Sequence, residues 1–562
     1  MKKFRKIAAL LLGGIITASV IAGCTSTADI GAPASDAAAP AQEAAAPEAA
    51  EPESAAPAEE AADADRYGGT MVIGTRFDVI QPNFVFYSSN TEGLLRDLIY
   101  DKLFTVDQDL NVIPRLATSY EANEDNTSFI VHLREGVKWA DGEDFTADDV
   151  LCYFYVYDNV ETTLKDNTWA EDYGLVVTKI DDYTVQYDLD RPCNTFVYSD
   201  LCQYVALPEH IWKDADLEAF DEITDLKYLT GMGPFNIVDL KLGEEIVLVR
   251  NDYYWEMKPY LDGVTVRIIP DADSLALALE NGDVDLARAS QDLQDRLEGQ
   301  DGFSFFSGNS GNMSYILIDY NDEILSDIDV RHALSLLTDR ESMKIAAKSP
   351  ASSIMTSVFT TADIGYEPNT MVEDGYTYDP DKAVQILDDA GWTLGDDGIR
   401  EKDGKKLSIE ILSTADATAQ QLVWMDSLKS AGIDVSVKII DTATRNSLVF
   451  TNEPDYQIYF NGSTMGPTCD GYITFYGSGM YNNYYSEENQ AMFAEATAAP
   501  SLEAATEIYS KISEKVSSEY PCIWLYENVK FWGMANHLNL DECSLTGYYC
   551  AWVSIAHAYF EK

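Results

Sequence analysis

One stretch of the chain has a hydrophobic pattern that predicts a strand, a turn and a helix in direct succession. Apolar side chains recur at every second position over residues 129–133, and Val137 and Trp139 resume this extended pattern. Asp141-Gly142 supplies the turn, and a helix begins after Thr146, whose side chain can accept hydrogen bonds from the first helical turn. The apolar face of this helix consists of Val150, Leu151, Phe154 and Tyr155. Because no nucleophile or base is positioned here, the pattern indicates structure and not catalysis.

Patterns of the same two kinds alternate along the rest of the chain from Gly68 onward. Asp379-Pro380 predicts a helix start, because aspartate caps the first turn and proline fits its first position, and Gly391 predicts the end of that helix. Alternating helices and strands are typical of α/β domains. Further predicted strands are Thr70–Gly74, Ile180–Leu189 and Val435–Ile439, and further predicted helices run from about Asn90, over Leu325–Arg340 and over Leu422–Ala431.

The stretch from Leu133 to Val150 resembles the signature of the family 5 solute-binding proteins, which are peptide, nickel and oligosaccharide receptors of ABC importers. Further landmarks, such as Val247–Trp255 and the helix over Leu325–Arg340, follow in the order of that family. The resemblance covers the chain from Gly68 to its C-terminus. It implies an α/β, two-lobed periplasmic-binding-protein-like fold of the large class, with an extra subdomain in the first lobe and a ligand cleft between the lobes.

The resemblance also implies where the lobes begin and end. Lobe I is expected to combine residues 68–313 with residues 527–562, and a mixed α/β subdomain is inserted at about 110–230. Lobe II is expected to comprise residues 314–526. The chain therefore has to cross between the lobes, which agrees with a length of 562 residues that predicts more than one core.

The N-terminal residues predict export and lipid anchoring. Met1–Lys6 is basic and Ile7–Val20 is an apolar run too short to span a bilayer comfortably, so residues 1–23 are expected to form a signal peptide. Ile21–Cys24 resembles a bacterial lipobox, which implies that Cys24 carries the lipid. Residues 24–67 are rich in alanine, proline and glutamate and predict a disordered tether. We expect an extracytoplasmic protein that is lipid-anchored to the bacterial cell membrane.

Charge and residue spacing exclude several classes of function. The net charge of −57 and the pI near 4.1 argue against binding to nucleic acid, whose phosphates would be repelled. The five histidines have no metal-ligand spacing, and the sequence has no phosphate loop, nucleophile elbow or dinucleotide-binding turn. We therefore predict no catalytic residue, no metal and no cofactor, and the ATPase is a separate protein. An extracellular glycosidase and a non-transport lipoprotein remain remote alternatives.

Cysteine spacing leaves the pairing of the cysteines open. Apart from Cys24 the chain has seven cysteines, an odd number that cannot all pair internally. Cys193 with Cys202, and Cys543 with Cys550, are near enough in sequence for disulfides, but the same spacings suit small hairpins.

The resemblance implies that the protein captures a ligand between its lobes and passes it to a membrane permease as a monomeric subunit. In the peptide receptors of the family an aspartate pairs with the α-ammonium group, and its position here falls at Met465 or Gly466. Asp470 is the nearest substitute, and we expect it to face the cleft and to bind a cationic group. The alternative is that Asp470 caps the helix that follows.

The predicted ligand is a peptide, either an oligopeptide or a dipeptide, and an oligosaccharide is the alternative. Each aromatic residue of the predicted site could stack on a sugar or contact a peptide side chain. Alternatively, each could pack in the hydrophobic core. Nickel is disfavoured because no histidine lies between Asn452 and Glu519. The predicted ligand-binding residues are Phe86, Tyr87, Asn461, Ser463, Thr464, Asp470, Tyr472, Trp524 and Tyr526.

Overall fold

The computed structural model of the protein describes residues 65–80, 83–86, 90–107, 110–160, 162, 173–297, 299–300, 302–451, 454–464, 466–540 and 555–561. The predicted signal peptide, Cys24, Tyr87, Met465, Cys543 and Cys550 lie outside these residues. The described strands are β1 (Thr70–Thr75), β2 (Phe104–Val106), β3 (Val112–Pro114), β4 (Ala117–Ala122), β5 (Ser128–Leu133), β6 (Val176–Asp181), β7 (Thr184–Asp188), β8 (Phe235–Lys241), β9 (Glu245–Arg250), β10 (Gly263–Ile268), β11 (Leu286–Arg288), β12 (Phe303–Ile318), β13 (Ser353–Ile354), β14 (Thr393–Leu394), β15 (Arg400–Lys402), β16 (Lys405–Lys406), β17 (Ser408–Ser413), β18 (Asp434–Ile439), β19 (Ile458–Thr464), β20 (Cys522–Ala535), β21 (Leu538–Asn539) and β22 (Tyr559–Phe560).

Helices alternate with these strands along most of the described chain. Short 3-10 or π turns lie at Val197–Leu201, Leu217–Glu222, Leu226–Leu229, Cys469–Tyr472 and Ile555–His557. The α-helices are α1 (Asn90–Ile99), α2 (Ala147–Asn159), α3 (Glu209–Trp212), α4 (Ala272–Glu280), α5 (Gln291–Leu297), α6 (Ile328–Leu336), α7 (Arg340–Ala346), α8 (Pro380–Asp389), α9 (Ala419–Ser430), α10 (Thr442–Val449), α11 (Ile473–Tyr476), α12 (Glu487–Thr497) and α13 (Leu502–Glu519).

Two long antiparallel strands, β12 and β20, link the two halves of a mixed sheet. On one side of this pair the order continues through β19, β17 and β18, and on the other side through β11, β1, β10, β9 and β8. β12 has 16 residues and at the rise of an extended strand spans about 50 Å. Strands of this length pass from one lobe into the other, which joins the two lobes of this α/β fold.

The hydrophobic cores fall on either side of this crossing. One core draws almost all of its residues from positions 71–286 and 532–558, and a small neighbouring core packs around α4 and α5. Two further cores use residues 313–526 and cover opposite faces of the sheet, because alternate side chains of a strand point to opposite faces. On β12, Ile316 and Ile318 enter one of these cores, whereas Met313, Tyr315 and Leu317 enter the other.

Local signals for helix starts are confirmed. Thr146 accepts from the N–H of Asp148 and Asp149 accepts from the N–H of Thr146, which forms a capping box before α2. Asp379 caps α8, whose first residue is Pro380. Gly391 follows the end of α8 with a φ of +89°, a conformation that glycine adopts without strain.

The predicted helix over Leu325–Arg340 is divided, because α6 begins at Ile328 and ends at Leu336 and α7 begins at Arg340. Three further expectations differ from the structure. Ile180–Leu189 is not one strand: its first residues end β6, the chain reverses at Asp182-Tyr183, and β7 begins at Thr184. The sequence did not reveal this turn, because both strands of the hairpin have the same alternating pattern of apolar and polar residues. Val137 and Trp139 are buried as the pattern required, but they flank only an isolated bridge between Lys138 and Asp144. The third concerns Cys193 and Cys202, for which a disulfide was one possibility: both are buried free thiols.

Candidate functional site

Uncharged polar side chains lie on β12, β19 and β20 near the point where β12 and β20 leave lobe II, and we call Asn312, Ser314, Asn461, Ser463, Thr464 and Asn528 the crossing-strand cluster. Asn528 Nδ2 donates to Asn312 Oδ1 over 2.6 Å and to Ser314 Oγ over 3.0 Å. Asn312 Nδ2 lies 3.4 Å from Thr464 Oγ1. All six residues are partly or largely exposed, so their amides and hydroxyls remain accessible to a ligand.

Asn461 and Ser463 lie on the opposite sheet face from Asn312 and Thr464, and there they contact Tyr315. Its phenolic oxygen accepts from Asn461 Nδ2 and shares a hydrogen bond with Ser463 Oγ, each over 2.8 Å. Burial raises the pKa of Tyr315, so the phenol stays neutral. The structure therefore places Asn461 and Ser463 of the predicted set on one sheet face and Thr464 on the other, where Asn312, Ser314 and Asn528 join it. The added residues escaped sequence reasoning because the register of β12 against β20 was not visible.

The crossing-strand cluster offers many donors and acceptors and no formal charge. A side-chain amide provides two donors and an acceptor, and a hydroxyl provides one donor and an acceptor. A peptide main chain or a set of sugar hydroxyls has the complementary groups. This chemistry suits binding by hydrogen bonds and provides neither a nucleophile activated by a base nor a pair of acid and base.

Asp470 lies in the turn Cys469–Tyr472 and is 2% exposed. Its Oδ2 accepts from Thr195 Oγ1 over 3.0 Å, and Thr195 comes from lobe I. Burial raises the pKa of Asp470. The capping alternative also stays open: the helix α11 begins after Tyr472, whose side chain makes no cap bond, and Asp470 lies in the turn before it. The predicted partnership with a cationic ligand group stays a prediction, and in this structure the hydroxyl of Thr195 is the partner.

The described aromatic residues of the predicted site are packed in cores. Phe86 packs against the rings of Tyr153, Tyr157 and Phe220. Trp524 is fully buried and its indole N–H donates to Tyr476 over 2.8 Å. Tyr472 is also fully buried and donates to Asp363, and Tyr526, 2% exposed, donates to Gln420. Side chains so enclosed have no free ring face for a ligand in this conformation.

Two buried carboxylates, Asp363 and Glu527, were missed by sequence reasoning. Asp363 accepts from the N–H of Thr360 over 2.6 Å and from Tyr472 over 2.7 Å, and burial raises its pKa to about 7. Glu527 on β20 accepts from the hydroxyl of Thr361 over 2.9 Å. No sequence signal distinguishes these two residues among 95 aspartates and glutamates. Both serve the packing of the segment before Ile364 against the sheet.

A separate groove of about 770 Å³ lies on lobe II between the segment 369–374 and α13. Its lining is acidic, with Glu373, Asp374, Glu507 and Glu514 against Lys511. None of the predicted ligand-binding residues lines this groove. Across the described residues, no cluster of metal-ligating side chains occurs and no helix is long and apolar enough to cross a membrane.

Comparison with known proteins gives one consistent family. Residues 111–483 match the family described as bacterial extracellular solute-binding proteins, family 5. The oligopeptide-binding protein AppA of Bacillus subtilis is 26% identical over 518 residues, which are 88% of this chain and 91% of that protein. Its structure with a nonapeptide has a TM-score of 0.73, at 24% identity, and covers 88% of this chain and all of that one. The substrate-binding protein CtaP of Listeria monocytogenes has a TM-score of 0.77, at 22% identity and the same coverage.

Proposed function

The chain belongs to the bacterial extracellular solute-binding proteins of family 5, and from this premise we propose that its solute is an oligopeptide or a dipeptide. The protein captures this peptide between its lobes and delivers it to the permease of an ABC importer. The relative in Bacillus subtilis, similar over most of both chains, is an oligopeptide-binding protein, which supports a ligand of the same class.

The crossing-strand cluster is the observation that carries this proposal. It lies at the junction of the lobes, where a closing cleft removes water from a ligand. Asn461 on one sheet face and Asn312 on the other are half-buried, and their side-chain amides are of the kind that matches the N–H and C=O groups of a peptide main chain. Such uncharged contacts bind a peptide largely independently of its side chains, as a receptor for mixed peptides requires.

An oligosaccharide is the second candidate, because sugar hydroxyls can bind to the same amides. Sugar receptors additionally need an aromatic ring with a free face for stacking. Phe86, Tyr472 and Trp524 are packed inside cores and offer no such face. This burial favours the peptide over the oligosaccharide.

A substitution at Asn461 tests the proposed site. We expect Asn461→Ala to weaken binding of a peptide by about fivefold, because the loss of one hydrogen bond is worth about 1 kcal/mol. Binding is measured by calorimetry with peptides that raise the melting temperature of the wild type, after a screen of peptides and oligosaccharides. Asn446→Ala, which removes an exposed amide on α10, is the matched control and should bind normally.

Two results would contradict these proposals. Equal peptide affinity of Asn461→Ala and Asn446→Ala would remove the crossing-strand cluster from the site. A screen in which only oligosaccharides raise the melting temperature would replace the peptide by the second candidate. Hydrolysis of peptides or glycans by the pure protein would contradict our further proposal that the protein has no enzymatic activity.

The proposal includes the cellular arrangement. The mature chain is a monomer, and its lipid-modified Cys24 holds it at the outer face of the cell membrane. The limits of lobe I at residues 68–313 and 527–562, and of lobe II at residues 314–526, are supported by the separation of the hydrophobic cores.

A further inference from the structure

One segment of lobe I makes a cluster of hydrogen bonds with lobe II away from the crossing strands. The N–H of Asn194 donates to the carbonyl of Thr497 over 3.0 Å. The side-chain amide of Asn194 donates to the carbonyls of Ala496 and Ala499 over 2.8 and 3.0 Å. The carbonyls of Ala496 and Thr497 end α12, where helix geometry leaves the last carbonyls without a partner in the helix, and Ala499 follows two residues later. Lobe I thus caps a helix of lobe II.

The next residue of the same segment connects to a buried carboxylate. Thr195 donates to Asp470 Oδ2 over 3.0 Å, and Asp470 Oδ1 is buried without a hydrogen-bond partner. No cation lies among the described titratable groups that face Asp470. These groups are Tyr173, Cys193 and Asp200 from lobe I, and Cys469 and Tyr509 from lobe II.

The burial of Asp470 depends on the two lobes being together. Thr195 and the lobe I groups around it cover the carboxylate, so separation of the lobes returns it to water. A buried carboxylate without a cation is costly when charged and much less costly when protonated. We propose that the contact of Asn194 and Thr195 with Asp470 and α12 is a proton-coupled latch, in which closure of the lobes takes up one proton on Asp470 and opening releases it to solvent.

The direction of the pH effect on the latch follows from the pKa of Asp470 in the closed and open states. In the closed state burial raises the pKa of Asp470, whereas in the open state water keeps the carboxyl near its ordinary behaviour. The latch is therefore strongest at low pH and weakens as the pH rises through the pKa of the closed state. The acidic groups Asp200 and Asp470 reinforce this direction, because each disfavours charge on the other.

Hydrogen exchange of the full-length, ligand-free protein tests the latch. The amide of Asn194 reports the contact directly, and amides of β17 inside lobe II serve as an internal reference. After correction for the intrinsic effect of pH, we expect protection of Asn194 to fall as the pH rises from 4 to 8, because burial raises the pKa of Asp470 in the closed state. Asp470→Asn should retain protection at both pH values.

Two further variants make the test decisive. Asp363→Asn removes a buried carboxylate that lies within lobe II alone and should keep the wild-type fall. Thr195→Val removes the hydroxyl donor and should lower protection of Asn194 at both pH values. An unchanged fall in Asp470→Asn overturns the proposal, as does a wild type without a fall. If Asp470→Asn does not fold, wild-type protection in Thr195→Val overturns it.

The latch goes beyond the proposed function and rests only on closure of the lobes. Because no ligand is present in the exchange experiment, its failure leaves peptide binding untouched. Failure of the peptide proposal likewise leaves the latch standing.

Discussion

At the scale of single residues, Asp363 shows how the fold sets the charge of a carboxyl group. All three hydrogen bonds that it accepts converge on Oδ2, and Oδ1 is buried without a partner. Burial is the largest cause of the raised pKa of Asp363, which is about 7. The neighbouring acid Glu527 adds to the free-energy cost of charging Asp363. Asp363 is therefore protonated in part at neutral pH, although its sequence context resembles that of many exposed aspartates.

This raised pKa predicts a pH dependence of stability. Because the folded pKa lies above the unfolded one of 3.8, the stability present below pH 4 is lost as the pH rises towards 7. At about 1.4 kcal/mol per pKa unit the loss is of the order of a few kcal/mol. We expect Asp363→Asn to flatten urea-unfolding free energies between pH 4 and pH 8. Asp441→Asn, at an exposed helix cap, should retain the wild-type trend, and an equal trend in both variants would contradict the assignment.

At the scale of elements, β12 runs from one lobe into the other. Its pairing with β20 shifts register between Asn309 and Asn312, and Gly311 within this bulge has a φ of +61°. Bulges interrupt the ladder of hydrogen bonds and bend a strand locally. Because the cores of the two lobes separate at this point, we expect the bulge to absorb the bending when the lobes move.

The conformation of Gly311 gives a prediction at this scale. A side chain in the left-handed region costs about 1–2 kcal/mol, and asparagine tolerates this region better than alanine. We expect Gly311→Ala to lower the free energy of unfolding by about that amount, Gly311→Asn to lower it less, and Gly308→Ala, at a glycine of β12 without positive φ, to have a smaller effect. Denaturant unfolding measures all three, and equal losses for the two alanine variants would speak against a strained bulge.

At the scale of the whole molecule, the proposed lipid anchor at Cys24 precedes the described lobes in the chain. The residues from Thr25 to about Asp65 are almost wholly alanine, proline, glutamate, serine and aspartate, a composition that does not bury a core. A tether of this kind would let a monomeric receptor stay at the membrane while its lobes reach the permease.

Replacement of Cys24 tests this arrangement. In bacterial cells we expect the wild type to fractionate with membranes and Cys24→Ala to become soluble outside the cytoplasm, because the lipid attachment site is lost. The variant Cys202→Ala, which alters a buried thiol, should fractionate as the wild type does. Membrane association of Cys24→Ala equal to that of the wild type would rule out the lipid anchor.

The sequence by itself determined the features that depend on neighbouring residues. Thr146 and Asp379 cap helices through bonds to residues two or three positions away, and the family resemblance of Leu133–Val150 pointed to the two-lobed α/β fold. The prediction of one strand across Asp182 was wrong because it used only local spacing. A pattern of period two continues through a tight hairpin and hides its turn.

Only the tertiary structure decided which of the chosen side chains are accessible. Asn461 and Trp524 both come from strands that pair with β12, yet one is partly exposed and the other is fully buried. The partner of Asp470 is Thr195, which is 275 residues away. Burial and partners of this kind result from packing between distant segments, whereas the sequence pattern records only the spacing along the chain.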